Sequence, residues 1–255
     1  MPELRRPDGC RLHFETYGDR GAAPIVLLEG MGGDIPGWRR SIPRLSAEFF
    51  VVAYDFRGNG MSDAPDEPMT AATFVEDTVD LLDHLDIVPA HIYGQSFGGM
   101  VAQELALAHP EVVRTLVLAC THCGGSHAIR RETAEQAEGL HLALYATGFA
   151  ERHPEHVTED LEVGSRNPQR PQAGRRQWEA MLGFDSYDRL PGIVAPTLVL
   201  HGTDDRLVPV ENAFRLAARI PRAELVLLRG AGHLYHSEQP EAADTAVLRF
   251  IRRYP

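Results

Sequence analysis

His91-Ile92-Tyr93-Gly94-Gln95-Ser96-Phe97-Gly98-Gly99 is the stretch that decides the fold. His91-Ile92-Tyr93 reads as a strand, and Val101, Leu105 and Ala108 then recur at i, i+4 and i+7, one face of a helix. Between the two stands G-x-S-x-G, from Gly94 to Gly98. A serine on a tight strand-to-helix turn holds a strained backbone, and flanking glycines remove the side chains that would collide there. Its hydroxyl then stands exposed above the sheet, backed by the positive dipole end and unpaired N–H groups of the helix. The pentapeptide alone is common: a random chain of this length carries one about one time in ten. The strand before it and the helix after it give it meaning.

Outward from this turn the same rhythm repeats. Leu12, Phe14 and Thr16 alternate with Arg11, His13 and Glu15, the pattern of a half-buried strand. Ile25-Val26-Leu27-Leu28 and Phe50-Val51-Val52-Ala53-Tyr54 are continuous apolar runs, as in strands covered on both faces. Thr115–Leu118, Thr197–Leu200 and Glu224–Leu228 are further strand candidates. Thr73–Leu85 places Phe74, Thr78, Leu81 and Leu85 on one helical face, with Asp77, Asp80 and Asp83 outside. Gly98–Ala108, Glu211–Ile220 and Pro240–Arg253 also read as helices. Strands alternating with helices predict an α/β fold with a mostly parallel sheet and helices on both faces.

One stretch breaks the rhythm. From about Ser126 to Leu190 no strand is convincing, and an apolar patch stands at Trp178, Met181, Leu182 and Phe184. The segment reads as a mostly helical insertion. The domain division expected is a core of residues 1–125 and 190–255 and a helical insertion of residues 126–189.

A serine hydroxyl is a poor nucleophile without a base. The strand Glu224–Leu228 runs into Gly230-Ala231-Gly232-His233, and the strand Thr197–Leu200 runs into His201-Gly202-Thr203-Asp204-Asp205. Both loops follow the C-terminal ends of strands, the edge of a parallel sheet where ligands bind, and Ser96 belongs to that edge too. Asp204 and Asp205 could each reach a loop histidine, and periodicity does not separate them. His233 stands out from the 12 histidines by position, with His122, His127 and His236 as its rivals.

Composition narrows the function classes. With 25 basic against 36 acidic residues the net charge is −11, which argues against nucleic acid or an anionic membrane surface as partner. The 3 cysteines make no disulfide framework, and the N-terminal stretch has no apolar core of a secretory signal. No apolar run approaches the ~18 residues of a membrane helix. These features predict a soluble, compact cytoplasmic protein and do not by themselves say what it acts on. Cys120-Thr121-His122-Cys123 is a C-x-x-C without a second ligand pair at matching spacing, so no metal is expected. The oligomeric state stays open, a homodimer included.

The chain resembles the α/β-hydrolase family over roughly residues 10–125 and 190–253. Leu27-Leu28-Glu29-Gly30-Met31-Gly32-Gly33 is similar to the family's first oxyanion loop, and Asp55-Phe56-Arg57-Gly58-Asn59-Gly60-Met61-Ser62 to its D-x-R-G-x-G-x-S segment. Gly94–Gly98 is similar to the nucleophile elbow, Gly202-Thr203-Asp204-Asp205-Arg206 to G-x-x-D-R, and Gly230-Ala231-Gly232-His233 to the histidine loop. Five motifs in order make the resemblance specific. It is greatest to small-lid serine members: carboxylesterases, enol-lactonases, carbon–carbon bond hydrolases and cofactor-free haloperoxidases. It implies Ser96 as nucleophile, His233 as base and Asp205, rather than Asp204, as the acid. The implied oxyanion hole is the N–H groups of Met31 and Phe97.

The loop departs from the family in one place, reading Glu29-Gly30 where H-G is usual. Glu29 is then either a structural hydrogen-bond partner or a carboxyl near the active site with a raised pKa. The resemblance implies a lid in the insertion. Leu140, Leu142, Leu144, Phe149, Trp178, Met181 and Phe184 offer it apolar side chains, with Arg130, Arg131 and Arg175 as local cations. Trp178 and Met181 read as the packed face of the lid or, with Leu144, Glu29 and Gly30, as substrate-binding positions. The expected activity is hydrolysis of a small-molecule carboxylic ester or lactone through an acyl-enzyme, without metal or organic cofactor. The alternatives on the same triad are a carbon–carbon bond hydrolase and a haloperoxidase or perhydrolase. A non-catalytic small-molecule receptor is the rival from another class.

Overall fold

The computed structural model describes residues 2–130 and 143–255. The expectations placed on Leu140, Leu142 and Arg131 lie outside the described residues. The strands are β1 (Glu3–Arg5), β2 (Arg11–Tyr17), β3 (Pro24–Leu28), β4 (Phe50–Tyr54), β5 (Ala90–Gln95), β6 (Val113–Ala119), β7 (Thr197–Gly202) and β8 (Ala223–Leu228). They form one 8-stranded sheet in the order β1-β2-β4-β3-β5-β6-β7-β8. The pairs β1–β2 and β2–β4 are antiparallel and all later pairs are parallel, the α/β architecture expected from the sequence.

The helices are α1 (Ile42–Leu45), α2 (Ala71–Leu85), α3 (Phe97–Ala108), α4 (Phe149–Arg152), α5 (Pro154–Gly164), α6 (Pro171–Leu182), α7 (Glu211–Arg219), α8 (Tyr235–Glu238) and α9 (Pro240–Ile251). The continuous apolar strands are explained by a core on each side of the sheet. Val26, Leu28, Val52, Ile92, Leu116 and Leu118 pack with residues of α2, α3 and α7. Ile25, Leu27, Val51, Tyr93 and Val117 point the other way, against α1, α9 and Trp38. Alternate side chains of one strand thus enter different cores. Burying one Val, Leu or Ile fully is worth roughly 1.5–3 kcal/mol, so no position in these runs tolerates a polar residue without a partner. No helix among the described residues is long and apolar enough to cross a membrane.

Three details differ from the sequence expectations. Asp77, placed outside by periodicity, is fully buried on α2. It accepts from Arg57 Nε at 2.7 Å and from Arg6 Nε at 2.8 Å, and two guanidinium partners compensate the burial of its charge. His13, on the face of β2 expected to be polar, is also buried, whereas Thr16 is exposed. On α6 the buried positions are Ala173, Gln177 and Ala180, spaced at i, i+4 and i+7. Trp178 therefore leaves the packed face and is 45% exposed, while Met181 is partly buried against the core under α2 and α3.

Candidate active site

The strand order creates the site. From β3 the chain moves to β4 on one side, then returns to β5 on the other, so the connections leaving β3 and β5 diverge. A crevice opens at such a switch point, beyond the C-terminal ends of the strands. Leu28 pairs in register with Gly94, which brings the loop after β3 against the turn after β5. The first loop carries Glu29, Gly30 and Met31, and the second carries Ser96.

Ser96 sits between β5 and α3 with φ 52° and ψ −117°, a conformation costly for any residue with a Cβ. The turn closes around it. Its N–H donates to Ala119 O at 2.9 Å and its carbonyl accepts from the Thr121 hydroxyl at 2.7 Å. A Cβ on Gly98 would stand 2.1 Å from Leu28 O, and one on Gly94 would stand 2.3 Å from Gly98 O. Only glycine lets the backbones approach this closely. Phe97 opens α3, so its N–H has no acceptor within the helix.

Asp205 follows β7 and His233 follows β8, and the structure brings them together. His233 Nδ1 lies 2.8 Å from Asp205 Oδ2, with both side chains buried. Because the partner is a carboxylate, Nδ1 carries the hydrogen and Nε2 is left as a lone pair. Asp205 Oδ1 accepts from the N–H groups of Leu207 at 2.9 Å and Val208 at 2.8 Å. Burial alone would raise the Asp205 carboxyl. Electrostatic attraction to the His233 ring and hydrogen bonds from His201 and His233 outweigh it and hold the group below the ordinary aspartate range. Asp204 is exposed and accepts from the Thr203 hydroxyl at 2.8 Å. Gln95, beside Ser96, donates to the His233 carbonyl at 3.4 Å.

The loop after β3 closes the third side. A Cβ on Gly30 would touch Ser96 Cβ at 3.4 Å, so this loop lies directly over the serine. Glu29 is buried, and its Oε1 accepts from Gly30 N–H at 2.9 Å. Burial raises its pKa to about 7; the Gly30 N–H opposes this, Asp34 adds to it and His233 opposes it. Both readings of Glu29 thus describe one residue: a hydrogen-bond partner and a carboxyl with a raised pKa.

The model of the alpha/beta hydrolase family matches residues 25–244. The chain belongs to the alpha/beta hydrolase family. A protein of Agrobacterium fabrum named "Putative carbamate hydrolase RutD" is 31% identical over 94% of this chain and 98% of its own length. Among solved structures, a hydrolase from Pseudomonas aeruginosa PA01 superposes with a TM-score of 0.88 at 31% identity, covering 98% of this chain and 97% of that one. The enol-lactonase from Burkholderia xenovorans LB400 gives 0.86 at 29% identity, covering 98% and 100%.

One residue beside Asp205 was not singled out by sequence. His201 is fully buried, and its Nε2 lies 2.9 Å from Val208 O and 3.4 Å from Asp205 Oδ2. Both neighbours are acceptors, so that nitrogen carries hydrogen and supports the carboxylate. Its position at the end of β7, four residues before Asp205, was the available signal. Leu144 is joined to the histidine loop, its carbonyl accepting from Leu234 N–H at 2.9 Å. Trp178 and Met181 lie on α6 as described above, and nothing in the hydrogen-bonding of Ser96 or His233 involves them. Cys120, Asp205 and His233 present ligand atoms within 4.8 Å of one another. Burial first, then the Asp205 charge, raises the Cys120 thiol well above its ordinary value, so it is held protonated beside the pair.

Proposed function

We propose that this hydrolase cleaves small-molecule carboxylic esters or lactones through an acyl-enzyme on Ser96. The observation that carries the reading is the 2.8 Å contact between His233 Nδ1 and Asp205 Oδ2, with Gln95, the residue before the positive-φ Ser96, donating to the His233 carbonyl. His233 Nε2 takes the proton as Ser96 Oγ bonds to the carbonyl carbon. Asp205 keeps the imidazole in the required tautomer and stabilises the imidazolium. The N–H groups of Met31 and Phe97 receive the developing oxyanion. The carbon–oxygen bond to the alcohol breaks as His233 returns the proton to the leaving oxygen. Water, deprotonated by the same imidazole, then releases the acid and frees Ser96. Esters, lactones and carbamates share an acyl carbon bearing a heteroatom leaving group. The names enol-lactonase and carbamate hydrolase among the relatives fit that common chemistry.

Residues 126–189 act as the lid in this reading, with Leu144 and other apolar side chains bounding the acyl pocket. A panel of p-nitrophenyl esters of increasing length, with lactones and an aryl carbamate, tests it. A fitting methylene is worth about 0.8 kcal/mol, roughly fourfold in rate, so kcat/KM rises from acetate to butyrate or hexanoate and then falls. An initial burst of p-nitrophenol equal to the enzyme concentration marks the acyl-enzyme. Failure to turn over any member of the panel refutes the reading. A preference for anionic esters that collapses with salt refutes the apolar pocket alone.

A further inference from the structure

The Met31 peptide N–H is bracketed by two side-chain acceptors. On its N-terminal side Glu29 Oε1 accepts from Gly30 N–H at 2.9 Å. On its C-terminal side Gln177 Oε1 accepts from Gly32 N–H at 3.3 Å. Glu29 belongs to the core, but Gln177 comes from α6, 145 residues along the chain from Gly32. We infer that Gln177 is a positioning residue for the oxyanion hole, so that the inserted helical segment sets the catalytic geometry as well as covering the site.

The hydrogen bonds of Gln177 fix it in one orientation. It is fully buried. Its Nε2 donates to Arg57 O at 3.0 Å and to Asn59 Oδ1 at 2.9 Å. Its Oε1 accepts from Gln169 Nε2 at 2.7 Å as well as from Gly32. A flipped amide would set its NH2 against two donors and its oxygen against two acceptors, so all four partners agree on one assignment. Asn59 completes the frame: its Nδ2 donates to Gly33 O at 2.7 Å, and its Oδ1 also accepts from Gln169 Nε2 at 2.7 Å. The frame is anchored to the core at Arg57, whose guanidinium is held by Asp77 and Asp8. Below the loop, Asp55 Oδ1 accepts from Ile35 N–H at 2.8 Å. The loop thus has core supports at Glu29 and Asp55, and Gln177 supplies the support that holds the peptide after Met31. An oxyanion donor acts only when it is aimed before the charge develops, and small misplacements cost about 10²-fold.

This inference rests on the reading of Met31 N–H as an oxyanion donor, and its test separates the two. Gln177→Met keeps length and burial but removes the four hydrogen bonds. A fluorophosphonate probe reports on the hole without any assumption about the carboxylic substrate. Ser96 Oγ bonds to phosphorus, the phosphorus–fluorine bond breaks, fluoride leaves, the serine proton passes to His233, and the phosphoryl oxygen occupies the hole. Gln177→Met is expected to lower kinact/KI for the probe roughly 10- to 100-fold. The best p-nitrophenyl ester should lose kcat by the same factor, with KM within about twofold. Gln169→Met, which removes two of the frame's hydrogen bonds, one of them to Gln177 Oε1, but leaves the Gln177 bonds to Gly32, Arg57 and Asn59, should show a smaller fall in the same direction and covers the case in which Gln177→Met does not fold. Arg175→Ala, on the exposed face of the same helix, should label at the wild-type rate. A folded Gln177→Met enzyme that labels at full rate, or one whose loss is confined to KM, overturns the inference. Wild-type protein that the probe leaves unlabelled overturns the acyl-enzyme reading and the inference with it.

Discussion

Replacing Asp205 by asparagine changes one atom of a carboxylate whose two oxygens both have fixed partners. Oδ1 accepts from two backbone N–H groups, those of Leu207 and Val208, at 2.9 and 2.8 Å. Those donors demand an acceptor, so the asparagine carbonyl takes the place of Oδ1 and the NH2 takes the place of Oδ2. The NH2 then faces His233 Nδ1, where the carboxylate stands at 2.8 Å in the native protein. A donor there forces Nδ1 to accept, the ring hydrogen moves to Nε2, and Nε2 can no longer take the Ser96 proton. The negative charge that stabilises the imidazolium is lost as well. The expected cost is about 10⁴ in kcat, or about 5 kcal/mol at 1.36 kcal/mol per decade, with KM little changed.

Asp204→Asn is the matched control. Asp204 is exposed and accepts from the Thr203 hydroxyl, a role asparagine keeps, so activity should stay within about threefold. Stopped-flow and steady-state release of p-nitrophenol measure both variants. Stability supplies a second readout. The Asp205 carboxyl is held below its ordinary value, so its contribution is present above about pH 4 and is lost as pH falls through the folded pKa. Asp205→Asn should therefore flatten the acid limb of the Tm–pH curve. The reasoning fails if Asp204→Asn is the crippled variant, or if Asp205→Asn retains more than about a tenth of wild-type kcat.

Ser96→Ala should lower kcat by roughly 10⁴–10⁶ while leaving Tm almost unchanged. Ser96→Gly should be as inactive but melt higher than Ser96→Ala, because only glycine is relaxed at φ 52°; an alanine variant with multiple turnover refutes the nucleophile. Glu29 titrates near 7 in the folded protein against about 4.3 unfolded, so its contribution to stability declines as pH rises between those values and is lost above them, on the order of 3 kcal/mol in all. Glu29→Gln, which retains the acceptor for Gly30, should therefore gain several degrees of Tm relative to wild type at pH 8 but not at pH 4; equal Tm differences at both pH values refute the buried, protonated carboxyl.

The fold was legible because its strands are covered on both faces. A run such as Ile25–Leu28 admits no polar residue when alternate side chains enter two cores, and all of these residues have no exposed surface. The nucleophile turn was legible for a related reason. Gly94 and Gly98 are dictated by backbone collisions within a few residues, so the cause and the letter lie close together in sequence. Asp77 was misplaced because its burial depends on Arg57 and Arg6, 20 and 71 residues away. Periodicity records which face a residue occupies and says nothing of a distant guanidinium able to neutralise it.

Gln177 makes the same point with a functional consequence. On a helical wheel it is a polar residue beside Trp178, and the apolar letter draws the eye. In the folded protein the order reverses: the glutamine is sealed and the tryptophan is 45% exposed. A glutamine is retained in such a place only if its four hydrogen-bonding positions are met, since an unpaired amide in the interior costs several kcal/mol. Three of its four partners are backbone groups or residues of two core loops, at Arg57, Asn59 and Gly32. Backbone N–H and C=O groups have no letter of their own, so no pattern of side chains announces them. The same is true of the oxyanion donors assigned to Met31 and Phe97, whose side chains are irrelevant to that role. The proposed catalysis is therefore built from two kinds of parts. The serine, histidine and aspartate are legible as residue types at strand ends, whereas the inferred aim of the Met31 amide depends in part on a contact, Gly32 N–H to Gln177 Oε1, that exists only once helix α6 has docked on the loop after β3.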